Sequence, residues 1–333
     1  MSKVIIIGGG PSGIIAAIGA AKSSNEVLLI EKNDVLGKKL RITGGGRCNI
    51  TNAADMDVFL SHTVSNRKFL YSALNTFSNA DILDLLKTEG LNFKTEKNDR
   101  VFPSSDKSFD VINALLNLLQ KSGVKIATNK TVQELIIEHP SPQNESGETR
   151  GLNELNHDYK SLKNCKAYNP AKGSPNADSM TSIGDSKNIN SSIDNLGVCK
   201  GVIISNGEII RGDIVIVTTG GISYPQTGST GDGYEFAKKA GHKISQIRPA
   251  LVPLAVKEDN IKALQGISLE NASISIYKGK KKLFQEKGEI LFTHYGISGP
   301  LILNASGYCL KQLSKSELIL KIDFLPGIDR QYR

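Results

Sequence analysis

Val4-Ile5-Ile6-Ile7-Gly8-Gly9-Gly10-Pro11-Ser12-Gly13 lies at the start of the chain and runs into Ile14 to Lys22, which is small and apolar. An apolar run ending in glycines, a helical stretch and a second apolar run at Val27 to Ile30 read as strand, helix, strand. Gly8-x-Gly10-x-x-Gly13 sits at the turn from strand to helix, and Glu31 follows Gly13 by 18 residues at the end of the second strand. In that setting each glycine has its own task. Gly8 permits the tight turn, Gly10 lets a pyrophosphate approach the backbone, and Gly13 lets helix and strand pack closely. The free N–H groups and the helix dipole stabilise phosphate charge, and Glu31 would accept hydrogen bonds from ribose hydroxyls. This predicts an α/β, Rossmann-like dinucleotide-binding domain but not which dinucleotide.

The next glycine-rich stretch, GKKLRITGGGRCNITN from Gly37 to Asn52, bears on that choice. A plain NAD-binding unit has no need of a second glycine loop directly after the ribose-binding strand. Gly44, Gly45 and Gly46 allow backbone amides to approach a flat or anionic group unobstructed. Arg47 and the Lys38-Lys39 pair offer positive charge, and Asn49 offers an amide. A flavin dinucleotide is the natural occupant, with an NAD-only dehydrogenase as the competing reading. Cys48 has no resolving partner in the sequence and reads as a small packing residue rather than a redox thiol.

At 333 residues the chain exceeds the roughly 250 to 300 that one core usually supports, so two domains, or one with an insertion, are expected. No apolar run reaches the roughly 18 to 20 residues of a membrane-spanning helix, and the early glycines interrupt any signal-peptide pattern. The four cysteines and five histidines are dispersed, which suggests neither a disulfide framework nor a metal site and fits a cytoplasmic setting. The net charge of +8 is spread along the chain and argues against a nucleic-acid partner. Its one local cluster, Lys278 to Lys282 with Lys287 around Gly279, reads equally as a solvated hairpin tip or a binding patch.

Helical periodicity is expected around Asn75 to Gly90 and over Val111 to Gln120, and strands at Val124 to Ala127 and Val132 to Ile137. Residues 141 to 197 hold nine Asn, nine Ser, three Pro and five Gly, so this stretch is expected to be disordered or a surface excursion. Its flanks, Thr131 to Glu138 and Val198 to Ile204, look like one interrupted hairpin, followed by a turn at Asn206-Gly207 and a return strand to Arg211. Asp213 to Thr218 reads as a strand and Gly231 to Ala240 as a helix with Asp232 as its cap. From Pro249 the pattern changes to alternating strands at Leu251 to Val256, Ser273 to Tyr277, Lys282 to Glu286 and Leu318 to Phe324.

The expected organisation is a discontinuous cofactor domain over 1–138 and 198–248, with a helical excursion at about 55–122. A polar insert at 139–197 and a mostly β second domain over 249–333 complete it.

IIIGGGPSG, GKKLRITGGGRCNITN, VIVTTGGISYPQTGSTGDGYEFAKKAGH, RPALVPL and FTHYGISGPLILNAS together resemble the BaiN-like family of NAD(P)/FAD-dependent oxidoreductases, also known as aminoacetone oxidase-like flavoproteins. The resemblance covers residues 1 to about 138 and 198 to 326. It implies extended FAD in a two-dinucleotide-binding, three-layer domain, with NAD(P)H as electron donor and a small organic substrate. By resemblance, Gly8, Gly10, Pro11, Ser12 and Gly13 meet the pyrophosphate. Glu31 and Lys32 meet the adenosine, and Val132 offers backbone groups to the adenine. The loop of Thr43, Gly45, Gly46, Arg47, Cys48 and Asn49 lies near the ribityl chain and ring, with Lys39 beside it. Thr219, Gly220 and Gly221 form the second flavin motif. His294 in FTHYGISGP is a weak candidate for an acid or base, since hydride transfer at a flavin needs no protein nucleophile.

After Phe324 the family pattern continues through a glycine-rich GGYN-like turn and a final helix, and residues 325–333 do not match it. A C-terminal return to the cofactor domain is therefore expected to be missing. An inactive truncated flavoprotein and a tRNA-modification-type flavoprotein stand as the rival readings.

Overall fold

The computed structural model describes residues 1–139 and 197–327. In chain order the strands of the first half are β1 (Lys3–Ile7), β2 (Glu26–Ile30), β3 (Thr51–Asn52), β4 (Phe93–Glu96), β5 (Arg100–Pro103), β6 (Lys125–Ala127) and β7 (Val132–Glu138). They continue with β8 (Val198–Ile204), β9 (Ile209–Arg211), β10 (Ile214–Val217), β11 (Leu254–Ala255), β12 (Ser268–Lys278), β13 (Lys281–Thr293), β14 (Gly296–Ser298) and β15 (Ile319–Asp323). The chain divides into two units, Met1–Gly46 with Ser108–His242, and Arg47–Lys107 with Lys243–Arg333.

The first unit is the Rossmann-type part. Its parallel sheet has the order β10-β1-β2-β6, with Ile6 paired to Leu29 on one side and Ile216 on the other. Ile5 and Ile6 point to opposite faces and both are fully buried, as an unbroken apolar run requires in a sheet covered on both sides. Helix Pro11–Lys22 starts with proline in its first turn and buries Ile14, Ala17 and Ile18. Helix Ser108–Lys121 buries Val111, Ile112, Leu115 and Leu119. A second, antiparallel sheet of order β7-β8-β9 completes the unit, and Ile5, Ile7, Ile30, Val132, Val202, Ile204 and Phe236 form one core between the layers. Glu138 lies directly opposite Val198 in the β7–β8 pair, and Gly207 takes φ +82° in the turn to β9.

The second unit contains a three-stranded antiparallel sheet, β3-β5-β4, and a five-stranded antiparallel sheet, β11-β14-β13-β12-β15. Ile274, Ile276, Phe284, Ile290 and Phe292 of the larger sheet pack against Leu301, Ile302, Ala305 and Cys309 of helix Pro300–Leu313. Burial raises the Cys309 thiol pKa above its ordinary value, which suits a packing residue.

Residues 47–107, which include most of the stretch expected as an excursion at 55–122, group with the second unit, where β3, β5 and β4 form a sheet of their own. Helix Ser108–Lys121 belongs to the first unit. Two expectations about single elements are corrected. The single helical period around Asn75 to Gly90 is two helices, Arg67–Thr76 and Asn79–Lys87, divided at Phe77. Ser78 accepts from the Asp81 N–H while the Asp81 carboxylate accepts from the Ser78 N–H, a capping box that starts a new helix without disturbing the apolar spacing. The strand expected at Lys282 to Glu286 runs to Thr293, because Gly288 and its charged neighbours interrupt the alternation without interrupting the pairing. The polar insert, apart from residues 139 and 197, and the final residues 328–333 lie outside the described residues.

Candidate cofactor site

Thr218, just after β10, donates its hydroxyl to the carbonyls of Ile7 and Gly8 at 2.8 and 3.0 Å, tying the first turn to the neighbouring strand. Gly8 has φ +105°, and a Cβ there would lie 2.7 Å from the Thr218 carbonyl oxygen. A Cβ on Gly13 would come to 1.9 Å from the Gly8 carbonyl oxygen. Gly10 is different: no atom lies within 4 Å of the place its Cβ would take. The packing tasks of Gly8 and Gly13 are thus separate from the openness at Gly10, which leaves the start of helix Pro11–Lys22 accessible.

Glu31 is buried, with 7% of its surface exposed. Its Oε2 accepts from the Gly9 N–H at 2.6 Å, and its Oε1 accepts from the Asn33 N–H at 2.8 Å and the Asn33 side-chain amide at 2.6 Å. Oε1 is therefore saturated by protein donors, while Oε2 keeps a lone pair for another hydroxyl. Lys32 Nζ donates to Thr230 Oγ1 at 2.6 Å and to Asp232 Oδ2 at 2.8 Å. Burial alone would raise the Asp232 carboxyl, but the bonds from Lys32 and Thr230 outweigh it and hold its pKa below the ordinary value. Asp232 is not the cap expected of it: Gly231 is the N-cap of helix Asp232–Lys239, and Asp232 lies inside the first turn, turned to Lys32.

These groups border an open cleft whose walls include Gly8, Lys32, Val132, Thr219, Gly228 and Asp232. Gly220 follows with φ +73°, and a Cβ there would lie 3.0 Å from Ser229 Oγ. The second glycine loop begins beside the first, where the Gly37 N–H donates to the Gly9 carbonyl at 2.9 Å. Lys39 reaches Ser223 Oγ at 3.3 Å, and burial lowers its pKa. Thr43 donates to the Leu40 carbonyl, and Gly44, Gly45 and Gly46 are all left-handed, at φ +57°, +67° and +89°.

The remaining members of that motif belong to the second unit. Arg47 donates through Nε to Asp106 at 2.8 Å, pairs with Glu96, and lies 4.2 Å from the centre of the Phe102 ring. Its charge is balanced locally, unlike the free cation the sequence suggested. Cys48 is fully buried at φ +62°, and the Asn49 amide serves the carbonyls of Thr51 and Val101. His294 is exposed on the turn between β13 and β14, edge-on to Tyr295 at 4.7 Å. The family pattern sets Ser229 or Thr230 toward the crevice, but sequence reasoning missed Asn33 and the bonds from Lys32 to Thr230 and Asp232; a bond between residues 200 positions apart leaves no local signal. No cluster of metal-ligating side chains occurs among the described residues, and none of their helices is long and apolar enough to cross a membrane.

The parallel sheet, the glycine turn and the acid closing β2 define the class of Rossmann-type dinucleotide-binding domains. The chain matches the HI0933-like protein Rossmann domain over residues 2–153 and the HI0933-like protein barrel and H2TH domain over residues 248–332, and it belongs to this family. It is 30% identical over 332 residues to a 3-dehydro-bile acid delta(4,6)-reductase of Clostridium scindens, covering 99% of this chain and 66% of that protein. It is also 28% identical over 329 residues to a ribosomal RNA dihydrouridine synthase of Haemophilus influenzae, covering 98% of this chain and 65% of that protein. The chain thus spans about two thirds of the length of these relatives. Among solved structures, a 3-ketosteroid-delta4-(5alpha)-dehydrogenase from Rhodococcus jostii RHA1 aligns with a TM-score of 0.45 at 13% identity, over 81% of this chain and 59% of that one.

Proposed function

We propose that the first unit binds FAD and that the protein is a flavin-dependent reductase acting on a carbon–carbon double bond of a small unsaturated ring compound, with NAD(P)H as electron donor. The observation that carries this reading is the division of labour among the glycines, with Gly8 and Gly13 filled by backbone and Gly10 left open at a helix start. When bound, FAD supplies the hydride chemistry. The N–H groups at the start of helix Pro11–Lys22 hold the pyrophosphate, and Glu31 Oε2 receives a ribose hydroxyl while its bond from Gly9 keeps it oriented. Val132 offers backbone groups at the adenine, and the Lys32–Asp232 pair closes the cleft beside it.

The ring substrate is favoured by the relative at 30% identity, whose name specifies a bile-acid reductase. A pyrimidine ring within RNA is the second reading, favoured by the dihydrouridine synthases at 28% and 25% identity. The purified chain should show bound-flavin absorbance and saturable FAD binding, and should oxidise NAD(P)H anaerobically in the presence of a 3-oxo bile acid with ring double bonds. Absence of FAD binding by a folded chain overturns the proposal.

A further inference from the structure

We infer that the outer face of strands β13, β12 and β15 in the second unit is a binding surface for single-stranded RNA. Cross-strand register assigns side chains to faces, because directly opposed residues stand on the same side of a sheet. Ile274, Ile276 and Phe284 are buried and define the inner face. On the outer face, Tyr277 stands opposite Lys282 and Ile319, Ser275 opposite Gln285 and Lys321, and Ser273 opposite Lys287 and Asp323. Lys321 Nζ lies 5.3 Å from the centre of the Tyr277 ring. Lys278, Lys280 and Lys281 extend the same charge around the hairpin tip, where Gly279 takes φ +55°.

Among the described residues none of these six lysines forms an ion pair, whereas Lys32, Lys94, Lys125, Lys130 and Lys239 each do. Asp323 is the one acid in the three rows. Of these six, register places Lys282, Lys287 and Lys321 on the outer face, with Lys282 donating to the Gln285 side-chain oxygen, while Lys278 and Lys281 stand on the other side at the tip. A chain of phosphates neutralises this charge while releasing counterions. The small side chains of Ser273 and Ser275 leave the sheet low on one side of Tyr277, so that an unstacked base has room to lie on the ring. Their hydroxyls and the Gln285 amide are suited to the 2′-hydroxyls that distinguish RNA from DNA. A lipid headgroup layer matches the charge but offers no base for the tyrosine.

The surface lies wholly in the second unit and does not rest on the flavin reading. The test uses the full chain and fluorescence anisotropy of a labelled oligo(U) of about 12 nucleotides, within the span of single-strand readers, with and without saturating FAD. Lys282→Glu/Lys287→Glu/Lys321→Glu should weaken binding at least about tenfold and flatten the plot of log K against log salt by about 2, three phosphate contacts' worth. Tyr277→Ala should weaken binding about tenfold and Tyr277→Phe much less. All substituted side chains are at least partly exposed, and a thermal melt of each variant checks that the fold is kept. Three results each overturn the proposal: no oligo(U) binding at low salt by the folded wild type, variants that bind as well as it does, or equal affinity for oligo(dT). Binding to phosphatidylserine vesicles without binding to oligo(U) overturns it as well.

Discussion

The first unit builds its site around glycines that leave side chains out, and the second builds its core from large side chains packed between sheet and helix. The second has an omission of its own at Gly296, where a Cβ would lie 2.2 Å from the Leu254 carbonyl oxygen. In the first, a Cβ at Gly13 would meet the Gly8 carbonyl at 1.9 Å, and one at Gly201 the Ile210 carbonyl at 2.2 Å. In the second, Ile274, Ile276, Phe284 and Phe292 interlock with helix Pro300–Leu313. An omission tolerates no addition, whereas a filled core tolerates exchanges of similar volume. The two units should therefore respond to mutation in different ways, and the contrast can be broken at named positions.

The largest effect is expected from Gly13→Val, which drives a side chain into backbone and should remove more than about 5 kcal/mol of stability, leaving the first unit unfolded by circular dichroism and limited proteolysis. Phe292→Ala in the second unit should cost about 3 to 5 kcal/mol in denaturant unfolding yet leave FAD affinity unchanged in the protein that remains folded. If flavin affinity falls as well, the independence of the two units fails. Gly10→Asp tests the opposite case, since the site is open and the new carboxylate faces the phosphate position. Its FAD affinity should fall about 100-fold, equivalent to about 2.7 kcal/mol, with an unchanged thermal midpoint.

Ser78→Ala removes half of a capping box and should cost about 1 kcal/mol, read by urea denaturation. The smallest effect concerns acid. Hydrogen bonds from Lys94 and Arg47 hold the Asp106 carboxyl below its ordinary pKa, so its contribution is present above the unfolded value and is lost as pH falls through the folded one. Asp106→Asn should flatten the pH dependence of unfolding below about pH 4 and leave it unaltered at neutrality.

What was legible in the sequence was local. Gly8, Gly10, Gly13 and Glu31 lie within one strand–helix–strand passage, so their spacing carries their geometry. The β7–β8 pair was legible because both flanks of the polar segment keep strand alternation and Asn206-Gly207 marks the return. The Lys32–Asp232 bond was hidden because only folding brings those positions together, and Asp232 has an adequate local reading as a cap. Arg47 looked like a cofactor cation because Glu96 and Asp106, which balance it, are 49 and 59 residues away. Five of the six lysines were legible as a local cluster around Gly279, and Lys321 was not. Register, not composition, sets Lys321 across from Ser275 and beside Tyr277.

The pairing of Glu138 with Val198 has a practical consequence. The two points where the chain leaves and re-enters the β7–β8 sheet are already neighbours, so a short turn can join them, and so can a foreign domain whose own termini lie close together. A fluorescent protein spliced between residues 139 and 197 would be carried by the cofactor unit itself. Its brightness would then give a readout of that unit's folding in living cells, without a tag at either terminus.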